Sequence, residues 1–319
     1  MVYFMGKKVT VIGAGSVGAT ISYTLAVKGI ADEIVMIDIN ENKVLGEALD
    51  IRQALPFCNT SSVYAGGYAD AKDSDIVIIT SGLPRKQGQT RLELAQVNVD
   101  ILKSIIPRVT KYAPDAIYIL VANPVDILTY TFVKYSGIPE NHIFGSGTML
   151  DSIRLRSRLA EYYNVDSTYI NAYMLGEHGD SMFLPWSLVK LNGSGSRIYE
   201  AQRQRSDIVL PEINRAEIEK YVRTSGGRVI SRKGATFYAV SLAVSHLCEC
   251  ILENIGCVQP VSVMMHGEHG VSDVCLSYPT MLNSDGVFAK VPTPLTPEEE
   301  DALRRSGDAL KTVISGLAF

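Results

Sequence analysis

Lys7 to Ile12 (KKVTVI) is a short β-branched run, and Gly13-Ala14-Gly15-Ser16-Val17-Gly18 follows it directly. Ser16 to Lys28 carries a helical pattern that ends at Gly29, and Glu33 to Ile37 reads as a second strand closing on Asp38. Strand, glycine triplet, helix, strand and terminal acid in this order admit very few folds. Gly13 permits a tight turn, Gly15 lets backbone approach a pyrophosphate, and Gly18 lets helix and strand pack closely, with Val17 in the same turn. A pyrophosphate there meets the free N–H groups of a helix N-terminus. Asp38 accepts hydrogen bonds from a ribose 2′-hydroxyl and repels a 2′-phosphate, which favours NAD over NADP. The alternative is a glycine-rich turn without a ligand.

Alternation continues down the chain. Asn40 to Leu55 is helical, Ser62 to Ala65 and Asp75 to Thr80 read as strands, Ala116 to Val121 is another, a helix spans Pro124 to Tyr135, and Asn141 to Phe144 gives a last short strand. Near-continuous apolar strands between helices mean a parallel sheet covered on both faces, the doubly wound Rossmann arrangement. After Gly145-Ser146-Gly147 helices dominate: one from Thr148, Arg197 to Ser225 interrupted at Pro211, and Gly234 to Asn254. Strands at Val261 to Met265 and Val274 to Tyr278 precede a final amphipathic helix from Thr296 to about Leu317. The expected division is a dinucleotide-binding domain over 1–148 and an α+β substrate domain over 149–319.

A net charge of −4 without a basic block gives no support for nucleic acid or an anionic membrane as partner. The apolar start MVYFM is too short for a signal sequence, and no run is long enough to span a bilayer, so the chain reads as cytoplasmic. Five cysteines (58, 248, 250, 257, 275) fit neither a disulfide framework nor a paired zinc site; reduced thiols and no metal are expected.

Ligands in such sheets bind beyond the carboxyl ends of the strands. Asn123 falls there, as a nicotinamide or substrate contact or simply an Asn-Pro turn former. So does Ser81 to Arg91 (SGLPRKQGQTR), where Gly82 and Gly88 flank Arg85 and Lys86: a lid carrying a cation to substrate, or a solvated linker. Asp151 and Arg154, three apart on a helix, are neighbours that form either a surface ion pair or part of a site. Asn171 to Asp180 (NAYMLGEHGD) reads as a strand, Ala172 to Leu175, with His178 between two glycines at its end. A histidine so placed is a candidate general acid/base, because its pKa of about 6.5 lets it exchange a proton near neutrality. Gly267 to Gly270 repeats GEHG, but between two strands, where it reads as a hairpin turn; His269 is the decoy.

Gly13 to Gly18, Asn123-Pro124-Val125-Asp126, Leu150-Asp151-Ser152-Ile153-Arg154 and Gly176-Glu177-His178-Gly179-Asp180 together resemble the L-lactate/malate dehydrogenase family over essentially the whole chain, closest to its bacterial lactate branch. The resemblance implies an NAD-dependent dehydrogenase of 2-hydroxy acids. His178 would donate and accept the proton, and Asp151 would fix its tautomer. Arg154 would hold the substrate carboxylate in a fork, Arg91 on the lid would polarise the carbonyl, and Asn123 would orient substrate. It also implies a cytoplasmic homo-oligomer, tetramer or dimer.

Within the family, Arg85 stands where malate enzymes carry arginine and lactate enzymes often glutamine. Glu177, the run Asn123 to Tyr130 and Thr236, which narrows the substrate pocket, lean to lactate. The expectation is a lactate dehydrogenase, with a malate dehydrogenase as alternative and a non-catalytic NAD-binding module as the second. Arg156 matches one arginine of the family's fructose 1,6-bisphosphate site; Asn171 replaces its histidine, which puts that activation in doubt.

Overall fold

The structure is a computed structural model that describes residues 6–60, 62–84, 88, 90–204 and 212–319, with backbone alone at 202–204. In chain order the first half runs β1 (Lys8–Ile12), α1 (Ser16–Lys28), β2 (Glu33–Ile37), α2 (Glu41–Ala54), β3 (Ser62–Ala65), β4 (Ile76–Ile79), α3 (Arg91–Val109), β5 (Ile117–Leu120), α4 (Val125–Tyr135) and β6 (Ile143–Gly145). The second half runs α5 (Met149–Tyr163), β7 (Ile170–Asn171), β8 (Lys190–Leu191), β9 (Ser194–Gly195), α6 (Ser196–Gln204), α7 (Arg215–Lys233) and α8 (Tyr238–Leu252). It ends with β10 (Cys257–His266), β11 (Ser272–Asn283), β12 (Gly286–Lys290) and α9 (Pro297–Ser315).

Strands β1 to β6 pair in parallel in the order β3-β2-β1-β4-β5-β6, so strand order reverses between β1 and β4. That reversal opens a crevice beyond the carboxyl ends of those strands, where such sheets take ligands. β4 and β5 are buried at every residue, as strands covered on both faces must be. The same sheet then continues antiparallel through β10, β11 and β12, with Ser262 of β10 opposite Gly145 of β6. One apolar core therefore runs from Val9 through Leu120 to Val261, Leu276 and Leu303. A second, smaller core gathers Leu155, Leu159, Tyr163, Met174, Leu184 and Val222 under the three-stranded sheet β7-β8-β9.

Several expected elements differ. Ala172 to Leu175 is not a continuous strand: Ile170–Asn171 pairs with β8, Leu175 and Gly176 make isolated bridges to Phe183 and Ser277, and the residues between cross from α5 to β11. Leu175 exchanges backbone bonds with Phe183 at 3.0 Å each way, while at Met174 side chains supply the partners. Ser152 Oγ accepts from the Met174 N–H at 2.9 Å and Thr148 Oγ1 donates to the Met174 carbonyl, while Gly176 exchanges backbone bonds with Ser277 at 3.1 and 2.9 Å. α7 does not stop at Ser225 but runs through Gly226-Gly227 to Lys233, and its start is set by Asn214, which caps the Glu217 N–H at 3.1 Å. Pro211, the expected interruption, lies outside the described residues. α8 starts at Tyr238 rather than Gly234. β10 and β11 outrun the expected strands, and β12 was not expected at all. The turn Ser284-Asp285-Gly286, with Gly286 at φ +87°, is an Asp-Gly hairpin signal that marks β12 in the sequence. The second GEHG is indeed the connection between β10 and β11, and His269 there bonds Glu300 (2.9 Å) and the Tyr278 hydroxyl (3.1 Å). No helix among the described residues is long and apolar enough to cross a membrane.

Candidate active site

The glycine turn meets its geometric demands. Gly13 adopts φ +107°, a conformation L side chains rarely adopt, and a Cβ there would meet Thr80 Oγ1 at 2.6 Å. Thr80 Oγ1 donates to the Gly13 carbonyl at 2.9 Å, a contact sequence reading did not anticipate. A Cβ on Gly18 would sit 1.8 Å from the Gly13 carbonyl oxygen, so helix and strand approach only through glycine. Gly15 differs: nothing lies within 4 Å of its Cβ position. It is the N-cap of α1, and no side-chain cap takes up the first N–H groups of the helix, which suits an anion site. Val17 is half-buried against the main core. Asp38 follows β2, and its two carboxylate oxygens accept from the Ala14 N–H at 2.6 Å and the Asn40 N–H at 2.9 Å. That holds the carboxylate beside the glycine turn with lone pairs to spare for a ribose. These residues fit a dinucleotide.

Across the crevice, α5 presents Asp151 and Arg154 on one face. Asp151, with its side chain only 2 % exposed, accepts from His178 Nδ1 at 2.6 Å on one oxygen and from Arg154 Nη1 at 2.9 Å on the other. The contact is thus no surface ion pair. Because an ionised carboxylate can only accept, the proton sits on Nδ1, which leaves Nε2 as the nitrogen for proton exchange. Burial disfavours the imidazolium, but the charge and hydrogen bond of Asp151 outweigh it and raise the His178 pKa above its ordinary value. Burial likewise opposes ionisation of Asp151, yet His178 and Arg154 hold its carboxyl below the usual range. A Cβ on Gly226 of α7 would lie 3.8 Å from the Arg154 guanidinium, so this glycine borders the arginine.

Asp126 emerges from the structure rather than from the motif that contains it. It is buried on α4, where one oxygen accepts the His178 backbone N–H at 2.7 Å and the other accepts Ser262 Oγ at 2.6 Å. Burial pushes its carboxyl up to about 6 against those two hydrogen bonds. The turn after His178 is braced by Glu177, whose backbone N–H donates to Ser306 Oγ at 2.8 Å and whose carboxylate accepts from the Ser181 hydroxyl. No short motif marks Ser262 or Ser306, since both come from distant elements.

Arg91 is the first residue of α3, set by the Thr90–Glu93 capping box rather than carried on a loop, and it forms an ion pair with Asp180. Asn123 is exposed at the sheet edge; its carbonyl accepts from Asn98 Nδ2 at 2.7 Å. Buried Asn98 also clamps Leu83 through both backbone groups, at 2.8 and 3.1 Å, tying the Ser81 loop to the Asn123 turn. Thr236 is half-buried in the connection between α7 and α8. Arg85 lies outside the described residues. Arg156 donates to the Ala172 carbonyl at 3.2 Å and lies over the Tyr173 ring.

Residues 7–145 match the NAD binding domain, and residues 148–318 the alpha/beta C-terminal domain, of the lactate/malate dehydrogenase family models. The chain belongs to the lactate/malate dehydrogenase family. It is 43% identical to an L-lactate dehydrogenase of Acetivibrio thermocellus, over 98% of this chain and 97% of that protein. It is 38% identical to the L-lactate dehydrogenase of Lacticaseibacillus casei, over 97% and 94%. Among solved structures, a lactate dehydrogenase from a Medee basin deep-sea metagenome superposes with a TM-score of 0.93 at 33% identity, covering 98% of this chain and 99% of that one. The L-lactate dehydrogenase of Clostridium thermocellum superposes at 0.87 with 37% identity, covering 98% and 100%. As a lactate/malate dehydrogenase the chain is an NAD-dependent oxidoreductase, and the glycine turn with Asp38 accords with that cofactor.

Proposed function

We propose that this protein is an L-lactate dehydrogenase interconverting pyruvate and L-lactate, with the dinucleotide unit ending near residue 148 and the substrate unit following it. The carrying observation is Asp151, a buried carboxylate shared between His178 and Arg154. NAD, when bound, supplies the hydride acceptor or donor at the nicotinamide; Gly13, Gly15, Val17, Gly18 and Asp38 would hold it, with Asn123 at the nicotinamide end. In pyruvate reduction His178 gives the proton on Nε2 to the keto oxygen, and it recovers one in lactate oxidation. Asp151 keeps the tautomer and stabilises the imidazolium. Arg154 takes the substrate carboxylate, a planar fork meeting a planar anion. Arg91 supplies positive charge to the developing alkoxide, exchanging its Asp180 partner for substrate. The acting form is a homo-oligomer, and Arg156, already bonded to Ala172 and Tyr173, gives little support to an activating phosphate site.

Steady-state kinetics on pyruvate and oxaloacetate under identical conditions test the substrate. Pyruvate should be preferred; a more than tenfold preference for oxaloacetate would transfer the assignment to malate and give Arg85 the deciding role. His178→Asn should lower turnover by about 10²–10⁴-fold while NADH binding persists. His269→Asn should leave turnover unchanged.

A further inference from the structure

A cluster at the end of α8 takes no part in this chemistry. Cys250, in the last turn of α8, and Cys257, the first residue of β10, are joined by a turn closed by the Ile255 N–H, which donates to the Cys250 carbonyl at 3.0 Å. The turn brings the end of α8 and the start of β10 together, where the Cys250 and Cys257 side chains interact. From one helical turn earlier, His246 places Nε2 3.6 Å from Cys250 Sγ. Its Nδ1 lies 3.5 Å from Glu249 Oε2, and that carboxylate also holds Lys28 at 3.1 Å. The Gln259 amide lies 3.5 Å from the same His246 Nε2.

The sulfur of Cys250 thus lies beside an imidazole polarised by a carboxylate, with a second thiol across the turn. The hydrogen bond from Cys257, aided by that from His246, pulls the Cys250 thiol below its ordinary range. Among the described residues no thiol or imidazole donor meets Cys248 or Cys275, and burial pushes both of them up. Thiolate character with a second thiol in contact is the combination that forms a disulfide.

We propose that Cys250 and Cys257 are a peroxide-sensitive dithiol, with Cys250 as the attacking thiolate and Cys257 as the resolving thiol. In the first step the Cys250 sulfur attacks one oxygen of hydrogen peroxide. An S–O bond forms, the O–O bond breaks, and the departing hydroxide takes a proton from the His246 imidazolium to leave as water. In the second step the Cys257 sulfur attacks the sulfenic sulfur. The S–S bond forms, and the sulfenic oxygen leaves as a second water with the Cys257 proton. Two thiols and one peroxide give one disulfide and two waters. Cys250 is 1 % exposed, so the oxidant must be small. Cys257 is half-buried and the His246 side chain is 44 % exposed, which marks the side of approach.

The test uses the full-length protein: treat with hydrogen peroxide, alkylate the remaining thiols in denaturant, and map all five cysteines by mass spectrometry. Cys250 and Cys257 should leave the alkylated pool together and appear as a linked pair that dithiothreitol restores, with Cys248 and Cys275 untouched. Cys257→Ser should abolish the link and leave Cys250 at the sulfenic or sulfinic stage. His246→Asn, with an unchanged circular dichroism spectrum, should slow oxidation about tenfold. Oxidation at Cys58 alone, a link through Cys248, or equal rates with and without His246 would overturn the proposal.

Discussion

At His178 two buried carboxylates act through different atoms. Asp151 works on the ring, and Asp126 on the backbone N–H. Pyruvate reduction needs the protonated imidazole, so its rate should fall as pH rises through the raised His178 pKa. Asp151→Asn removes the largest influence holding that pKa up, and burial then pulls it down. The basic limb of the pH–rate profile should move to lower pH and maximal kcat should drop; an unmoved limb would show that Asp151 does not govern the proton. Asp126→Asn acts otherwise. An amide keeps its oxygen on the His178 N–H by turning its NH2 to Ser262 Oγ, which must then accept and place its own proton elsewhere. Two charge-assisted hydrogen bonds become weaker neutral ones, at a cost of about 1–3 kcal/mol in urea unfolding. Since one donor is the His178 backbone, kcat should fall while the Kd for NADH stays constant.

The element that positions the dinucleotide is the turn from β1 into α1, and its glycines divide by what a methyl would meet. Gly18→Ala would push a carbon into the Gly13 carbonyl, so it should destabilise the folded chain. Gly15→Ala meets no protein atom and should leave Tm nearly unchanged. Its methyl enters the space assigned to the pyrophosphate, and NADH affinity should weaken by about tenfold, ~1.4 kcal/mol. Titration of NADH fluorescence beside a thermal melt separates the two; a Gly15→Ala protein that binds normally would mean the turn does not face the cofactor. α3 and α9 begin with Thr-x-x-Glu capping boxes visible in the sequence, at Thr90–Glu93 and Thr296–Glu299. α5 shows no side-chain N-cap bond; Thr148 instead uses its hydroxyl on Met174.

Across the molecule, one sheet carries both halves, because β10 pairs with β6 and the main core spans the join. Urea unfolding should therefore be a single transition. Trp186, the one tryptophan, packs on the smaller core. Its fluorescence should change at the same urea concentration as far-UV circular dichroism. An earlier Trp186 transition would mean the smaller core melts by itself.

Local pattern was enough for β1, β2, β4 and β5, because strands buried on both faces announce themselves as apolar runs and glycines at close approaches have no substitute. It was enough also for the order of the site motifs, and for recognising the second GEHG as a hairpin turn. Residues 172–176 escaped it: their apolar composition reads as strand, but Leu175 alone pairs locally, with Phe183, while Met174 and Gly176 bond to Thr148, Ser152 and Ser277 on distant elements. Asp126 escaped for the same reason. It stands in a quoted motif, yet its meaning depends on Ser262, 136 positions later, and on the His178 backbone. Charge and burial at a site are sums over everything packed around it. Composition and spacing can nominate the residues, but only the packed chain determines which carboxylate lies in the dark, which proton it holds and which arginine it meets.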